Sequence, residues 1–273
     1  MDLQLTGKRV LVTGSSSGIG RGIATVLGRE GATVVVHGRS RERSEETAAA
    51  VRSVGGTAHV ALGDLATDTG AAAVAEAVQA ATGGVDILVN NIGGTESSGG
   101  GARSWFEITP DHWLGAMQQN LVAAVRMVHA FVPAMRDAGW GRVINISSGG
   151  GSAPPDSVPD YCAAKAALNN MTVGLSKALA RSGVTVNTVS PGCTMTEMFQ
   201  GGLARMAEAN GWTGGFAEWE ARFMETGAYP CVSTRYGRPE DIGAVVALLA
   251  SPLSDFVNGA NYRVDGGQVP SVN

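Results

Sequence analysis

The sequence predicts an α/β fold, a single doubly wound parallel sheet of about seven strands with helices on both faces. Three observations predict it. Short β-branched runs alternate with Ala-rich helical stretches along the whole chain. The strand runs are apolar throughout, as burial on both faces of a parallel sheet requires. A glycine-rich turn, VTGSSSGIG, joins the first strand to the first helix.

In chain order, residues 9–13 read as a strand and 19–30 as a helix, with Ile19, Ile23, Val26 and Leu27 on one face. Strand 33–36 precedes helix 42–54, strand 58–61 precedes helix 71–81, and 87–89 is a strand. A Gly/Ser-rich loop over 93–104 follows. Pro110, behind Thr109 as N-cap, opens a long helical region to 138. Strand 143–147 leads to helix 159–181, and strand 184–189 to a long segment. Helix 239–250 and strand 261–264 complete the alternation. Crossovers of this kind make right-handed βαβ units. No repeat or linker divides the chain, so one domain over 1–273 is expected, with an insertion over 195–236.

Composition limits the partners. Apolar residues are 44% of 273, enough for a sizeable core, and the net charge is −4. Without basic runs, neither nucleic acid nor an anionic membrane is an expected partner. The N-terminus lacks a signal-like apolar run, and no stretch approaches the ~20 apolar residues of a membrane span. Cys162, Cys193 and Cys231 fit neither a disulfide framework nor a zinc spacing. His37, His59, His112 and His129 show no ligand spacing. The expectation is a cytoplasmic protein with reduced thiols and no metal.

The turn places Gly14, Gly18 and Gly20 between strand and helix, in a G-x-x-x-G-x-G spacing. Glycine lets backbone approach a pyrophosphate, and the helix start offers free N–H groups and the positive end of its dipole. Ser16, Ser17 and Ile19 share that turn as candidate contacts. Tight packing alone also explains glycines, but a turn between a first strand and a helix is the context a dinucleotide requires.

Further motifs follow at regular points: Asp64 after the third strand, NNIG at 90–93, Asn120, Ser148, Tyr161 and Lys165 in YCAAK, and Pro191–Gly192. Together they resemble the short-chain dehydrogenase/reductase superfamily over nearly the whole chain, most of all 3-oxoacyl-carrier-protein reductases and related bacterial ketoreductases. One departure is Ile92, where the family usually has alanine. The resemblance implies a Rossmann-type fold, a helical substrate lid over 195–236, and a homotetramer or homodimer joined through helices 119–138 and 159–181.

Tyr161 and Lys165 stand at i and i+4, so they share a helix face. A nearby ammonium favours phenolate and brings a phenol towards neutrality. Y-x-x-x-K alone is weak; its weight comes from Ser148, thirteen residues before Tyr161. The resemblance makes Ser148 the holder of the substrate carbonyl oxygen, Tyr161 the proton donor, and Lys165 the partner of the nicotinamide ribose. The resemblance also implies that Asn120 sits in a locally perturbed helix and supports a water that serves Lys165; without it, an Asn in a helix reads as surface. Ser147 is expected to be structural. Asn90 and Gly93 would lie against the cofactor ribose, with Asn91 structural. Pro191, Gly192 and Thr194 would pass the nicotinamide, Thr194 bonding its carboxamide. Asp64 would bond the adenine amine with the Leu65 amide nearby, although an Asp after a strand also reads as a turn former.

The end of the second strand reads VVVHGRSRER. Gly38 stands where an NAD site carries an acid, and Arg39 follows, suited to a 2′-phosphate. Ser40 could add a hydroxyl. NADP(H) is therefore expected, with NAD(H) the alternative and a solvated Arg39 the bland reading; Arg41 reads as solvated. The expected activity is reduction of a ketone or oxidation of the matching secondary alcohol. The alternatives are an NAD-dependent alcohol dehydrogenase of the same family and a non-catalytic NADP-binding sensor or scaffold. Met198, Phe199, Met206, Trp212, Phe216, Trp219, Phe223 and Met224 suggest a bulky apolar or aromatic ketone rather than a small sugar, or a 3-oxoacyl-type ketone, unless they merely pack.

Overall fold

The computed structural model describes residues 1–94 and 105–270. Most of the 93–104 loop lies outside them. Seven strands among the described residues, all parallel, form one sheet: β1 (Arg9–Val12), β2 (Thr33–Gly38), β3 (Thr57–Leu62), β4 (Ile87–Asn90), β5 (Gly141–Ile146), β6 (Val184–Pro191) and β7 (Asn261–Val264). Their order is β3-β2-β1-β4-β5-β6-β7. The order reverses between β1 and β4, which opens a crevice at their carboxyl ends.

Helices α1 (Gly18–Arg29), α2 (Arg41–Ser53) and α3 (Asp68–Thr82) cross over among the first four strands. The expected long helix after Pro110 is interrupted: α4 (Pro110–Met117) and α5 (Ala123–Asp137) flank a π-helical stretch, Gln118–Val122, that contains Asn120. After β5, α6 (Pro159–Ala178) carries Tyr161 and Lys165, and α9 (Pro239–Ala250) precedes β7. Two cores flank the sheet. One joins α1, α2 and α9 residues such as Ile23, Val51 and Val246 to Val10, Val34 and Ile144; the other joins Val74, Met127 and Phe131 to Leu11, Leu88 and Val186. Strands β1 to β6 each contribute to both, as burial on two faces requires, whereas the edge strand β7 reaches only the first, through Tyr262 and Val264.

The 195–236 stretch forms α7 (Glu197–Ala209) and α8 (Phe216–Glu225) with a small core of its own. Glu220 of α8, nearly buried, takes a bidentate bond from Arg238 (2.8 and 2.6 Å) and a third from Tyr236 N (3.0 Å). This ties α8 to the start of α9.

A buried polar chain fixes α6 on the sheet. Asn90 donates to Asn145 (2.9 Å), Asn145 to Thr172 (2.9 Å), and Thr188 to the same Thr172 hydroxyl (2.8 Å). Because such groups are costly when unpaired, the chain sets the register of the helix that bears the tyrosine and lysine.

His37, to which the sequence assigned no chemistry, clamps the glycine turn. Gly14 N donates to its Nδ1 (3.0 Å), which leaves Nε2 to donate to Gly63 O (3.1 Å). Ser15 N donates to His37 O, and His37 N to Ser15 Oγ. Burial lowers the imidazole to about 4, outweighing the Gly63 carbonyl and Asp64, which favour the cation. The unfolded chain takes up a proton near pH 6.5, whereas the fold resists until about 4. Stability is therefore full above pH 6.5 and is lost as pH falls towards 4. Wild type should lose on the order of 3 kcal/mol more across that window than His37→Gln, measured by urea denaturation at stepped pH. Equal slopes for the two proteins would contradict the clamp.

Candidate active site

The crevice beyond β1 and β4 widens into a cleft of about 1660 Å³, lined by Gly14, Ser16, Ser17, Gly18, Ile19 and Gly20 at one end. Gly14 and Gly18 have φ of +63° and +56°, a region that favours glycine. A Cβ at Gly20 would lie 2.5 Å from both Gly14 O and Asn91 Nδ2. The turn is thus held tight, and the start of α1 faces the cleft. Gly18 N donates to a carboxylate oxygen of Glu197 (3.0 Å), and Arg21 stands 3.7 Å from the same side chain. That carboxylate, from the first turn of α7, shows that the turn accepts an anionic oxygen, so the residues present fit a pyrophosphate.

At the end of β2, a Cβ on Gly38 would meet Ser44 Oγ at 2.7 Å and Ser16 Cβ at 2.8 Å. An acidic side chain has no room there. Arg39 lines the cleft, with Arg43 and Glu46 one and two turns along α2. Ser40 is not on that wall: its hydroxyl caps α2, accepting from Arg43 N (3.4 Å). The basic cluster had pointed to Arg39 alone; Arg43 escaped notice because its approach depends on the angle at which α2 leaves the strand.

Asp64 lines the cleft while its Oδ1 accepts from Ala66 N (3.0 Å), so it is also the turn former. Leu65 is 1% exposed and packs in the core beneath, away from the cleft wall. Asn90 is likewise off the wall: it belongs to the polar chain of the sheet, and its Oδ1 has no partner. Its neighbour Asn91 takes the cleft side. The Asn91 amide donates to Thr13 O (2.9 Å) and Gly14 O (3.1 Å), and its backbone N–H to the Thr13 hydroxyl (3.0 Å). Adjacent residues at a strand end face opposite ways, which decides between the two.

Ser148, Tyr161, Lys165 and Gly93 line the middle of the cleft. The Ser148 hydroxyl accepts from Gly150 N (3.1 Å) at the start of a short turn after β5. Ser147 borders the cleft too, but its hydroxyl is engaged in donating to Lys165 O (3.2 Å). Lys165 is 1% exposed; its ammonium donates to Ile146 O (2.9 Å) and lies 5.7 Å from the centre of the Tyr161 ring. Burial lowers this amine to about 7. Burial also raises the Tyr161 phenol, with the Ser148 hydroxyl working the other way. The expected downward pull of the amine on the phenol is therefore not the ruling effect here. The amine is turned to a carbonyl, and its own charge is disfavoured.

Asn120 is buried behind this centre. Its Nδ2 donates to Ala116 O (2.8 Å) and Gly94 O (2.9 Å), and its Oδ1 accepts from Gly94 N (3.1 Å). A Cβ at Gly93 would lie 2.9 Å from Lys165 Nζ and 3.2 Å from Asn120 Oδ1. A side chain at 93 would therefore crowd both the lysine and the asparagine, and glycine leaves that space clear.

Pro191 and Gly192 line the far end, with Cys193, Thr196 and Gln268. Thr194 does not. It is buried, donates to Gly192 O (3.1 Å), and pairs with Gly237 through its backbone. Burial pushes the Cys162 and Cys193 thiols up to about 11 and 12, so neither is a nucleophile near neutrality. Phe199, Trp212, Phe216, Trp219, Phe223 and Met224 pack within the small core of 195–236. Of the side chains behind the bulky-ketone expectation, only Met198 lines the cleft, with Ala228, Tyr229 and Pro230 nearby. Among the described residues, no cluster suits a metal ion, and no helix is long and apolar enough to cross a membrane.

The family profile described as short chain dehydrogenase matches residues 8–206. The chain belongs to that family. Among short-chain dehydrogenases it is 36% identical to the uncharacterized oxidoreductase YvaG of Bacillus subtilis, over the full length of both. It is 33% identical to a 3-oxoacyl-acyl-carrier-protein reductase of Pseudomonas aeruginosa, covering 98% of this chain and all of that one. The L-sorbose reductase of Gluconobacter frateurii, solved with NADPH and L-sorbose, superposes with a TM-score of 0.90 at 30% identity over all of both chains. The short-chain dehydrogenase fold and oxidoreductase class are thereby shown.

Glu197 occupies the anion position of the turn that a pyrophosphate would need. Removing its charge removes a competitor. Glu197→Gln should tighten NADPH binding about three- to fivefold by tryptophan fluorescence. Unchanged or weaker binding would show that the carboxylate does not compete.

Proposed function

We propose that this short-chain dehydrogenase is an NADP(H)-dependent ketone reductase, reversible to secondary-alcohol oxidation, with Ser148, Tyr161, Lys165 and Asn120 as its reacting centre. The observation that carries the reading is one continuous cleft. It runs from the glycine turn past Ser148 and Tyr161, with Lys165 buried in its wall.

When bound, the dinucleotide supplies a hydride to the carbonyl carbon. The chain's own residues do the rest. Tyr161, kept protonated by burial, gives its phenolic proton to the oxygen as negative charge develops there. The Ser148 hydroxyl donates a second hydrogen bond to that oxygen, which lowers the cost of the charge in a partly desolvated cleft. Lys165, near neutral pH when buried, can pass a proton on, and Asn120 and Gly93 hold the space beside it. The 195–236 segment serves as the substrate lid, with Met198 and Tyr229 at its inner side. Exposed Val173 on α6 belongs to the face through which copies would assemble.

Three features support NADP. There is no room for a carboxylate at Gly38, and Arg39 and Arg43 stand on the wall beyond it. Glu46 on the same wall favours the second reading, NAD, since an acid there can take a ribose hydroxyl. Relatives described as reducing 3-oxoacyl groups and L-sorbose support a ketone that bears further oxygen atoms.

Incubation with NADPH and a ketone panel, followed by nicotinamide absorbance, tests the reaction. Tyr161→Phe should bind NADPH within about threefold of wild type and lose about 10²–10⁴ in kcat. Retained turnover would remove the phenol from the chemistry. Arg39→Asp should lower the ratio of NADPH to NADH efficiency about ten- to a hundredfold, the loss of one charge-assisted contact. An unchanged ratio would leave Arg39 a solvated surface charge.

A further inference from the structure

We propose that Gln268 determines substrate specificity, and that the substrate is a ketone carrying an acceptor oxygen a few bonds from the reacting carbonyl. This rests on the ketone-reductase reading. It starts from the segment after β7, which the sequence did not mark.

That segment is fastened at every turn. Gly266 and Gly267, with φ of +60° and +77°, reverse the chain. The Asp265 carboxylate accepts from Gly267 N (3.0 Å) and Val269 N (3.1 Å), and Arg263 donates to Val269 O (3.0 Å). Gly266 O accepts from Val232 N (2.9 Å) and Ser233 N (3.2 Å), beyond α8. The result is a rigid bracket at the edge of the cleft. Val269, 8% exposed, reaches within 2.9 Å of the position a Cβ would take on Gly149, the residue after Ser148.

Gln268 stands on that bracket and lines the cleft. Its Oε1 accepts from Cys193 N (2.8 Å) and fills the space a Cβ on Gly192 would need. Chemistry fixes the orientation of this amide. A backbone N–H requires an acceptor, so the oxygen faces Cys193 and the NH₂ group is left for the cleft. Among the described residues, no acceptor is recorded for that NH₂. A held donor on a cleft wall is well suited to a ligand oxygen, because its orientation is already set.

The neighbouring wall is mostly apolar: Ala153, Pro154, Pro155, Met198 and Pro230 offer no side-chain donor, and the Ser157 and Tyr229 hydroxyls are its other polar groups, less firmly oriented than an amide fixed by Cys193 N. Since the bracket abuts the turn of Ser148, the oxygen that meets Gln268 sits close to the carbonyl that meets Ser148. Hydroxyketones and 3-oxo esters or acids have that arrangement; simple alkyl ketones do not. A site built to bond an oxygen rejects the analogue that lacks it.

The test uses two ketones of matched length, ethyl 3-oxobutanoate and 2-heptanone. Because they differ in intrinsic reactivity, the readout is the change in their kcat/KM ratio. Gln268→Glu keeps an oxygen for Cys193 N but replaces the donor; Gln268→Leu removes the amide without adding charge. Both variants should lower the ratio about ten- to a hundredfold, with 2-heptanone turnover and NADPH affinity within about threefold of wild type. An unchanged ratio in both overturns the inference alone. A tenfold weaker NADPH Kd by fluorescence overturns it too, by assigning the amide to the nicotinamide end. Wild type that turns over neither ketone, with NADPH or NADH, fails the reductase reading first.

Discussion

The constraint on which the site depends is the parting of β1 from β4. The parallel strands are added outward to one side as far as β3 and to the other side from β4, so the crossovers leave on opposite faces and the carboxyl edge gapes at the junction. Backbone groups at the gap lose their sheet partners and need others. Asn91, just beyond β4, supplies them: its amide donates to Thr13 O and Gly14 O, while the Thr13 hydroxyl accepts from Asn91 N. His37 does the same from β2 through Gly14 N. Two side chains therefore replace the missing ladder, and the start of α1 is left facing the cleft, where Gly18 N meets the Glu197 carboxylate. A dinucleotide cradle is what remains once the gap is satisfied in this way.

The same burial has opposite effects on the two titratable groups of the centre. It disfavours the ammonium of Lys165 and the phenolate of Tyr161 alike. The resting pair is thus drawn towards neutrality, with the proton on the phenol, which is the form the proposed reduction calls for. In the oxidative direction the phenol would have to ionise against that preference. The geometry agrees, since the amine bonds Ile146 O instead of approaching the phenolic oxygen.

How much of this was legible follows from which interactions are local. Apolar strand runs, the turn glycines and the i, i+4 pair of α6 are set by neighbours in sequence, and they stand where the pattern put them. The break in the helix after Pro110 carries no such signal: nothing in MQQNLVAA disfavours a regular helix, and only the resemblance pointed to Asn120. Four expected contacts, Ser40, Leu65, Asn90 and Thr194, sit beside the cleft without lining it. Each lies one or two residues from a residue that does line it: Arg39, Asp64, Asn91 and Thr196. Sequence locates a strand end well, but the facing of each side chain is decided by the exit angle of the loop. The aromatic residues of 195–236 misled for a related reason. Apolar composition says that surface will be buried, and here it is buried by its own segment.

That segment also joins the two ends of the cleft. Its second helix is tied down by the bidentate Glu220–Arg238 pair, in which the carboxylate is nearly buried and would be left unpaired by separation, while the Arg238 side chain is 30% exposed. Its first helix is held differently. Thr196 caps it, and Glu197, largely exposed, reaches across to Gly18 and Arg21. An exposed pair of this kind is weak and yields to a stronger anion. The next residue, Met198, stands on the cleft wall near Tyr229. Thr196, Glu197 and Met198 therefore put the contact with the glycine turn and the cleft wall near Tyr229 on one helical turn of α7, while α8 is tied separately to the start of α9 through Glu220 and Arg238.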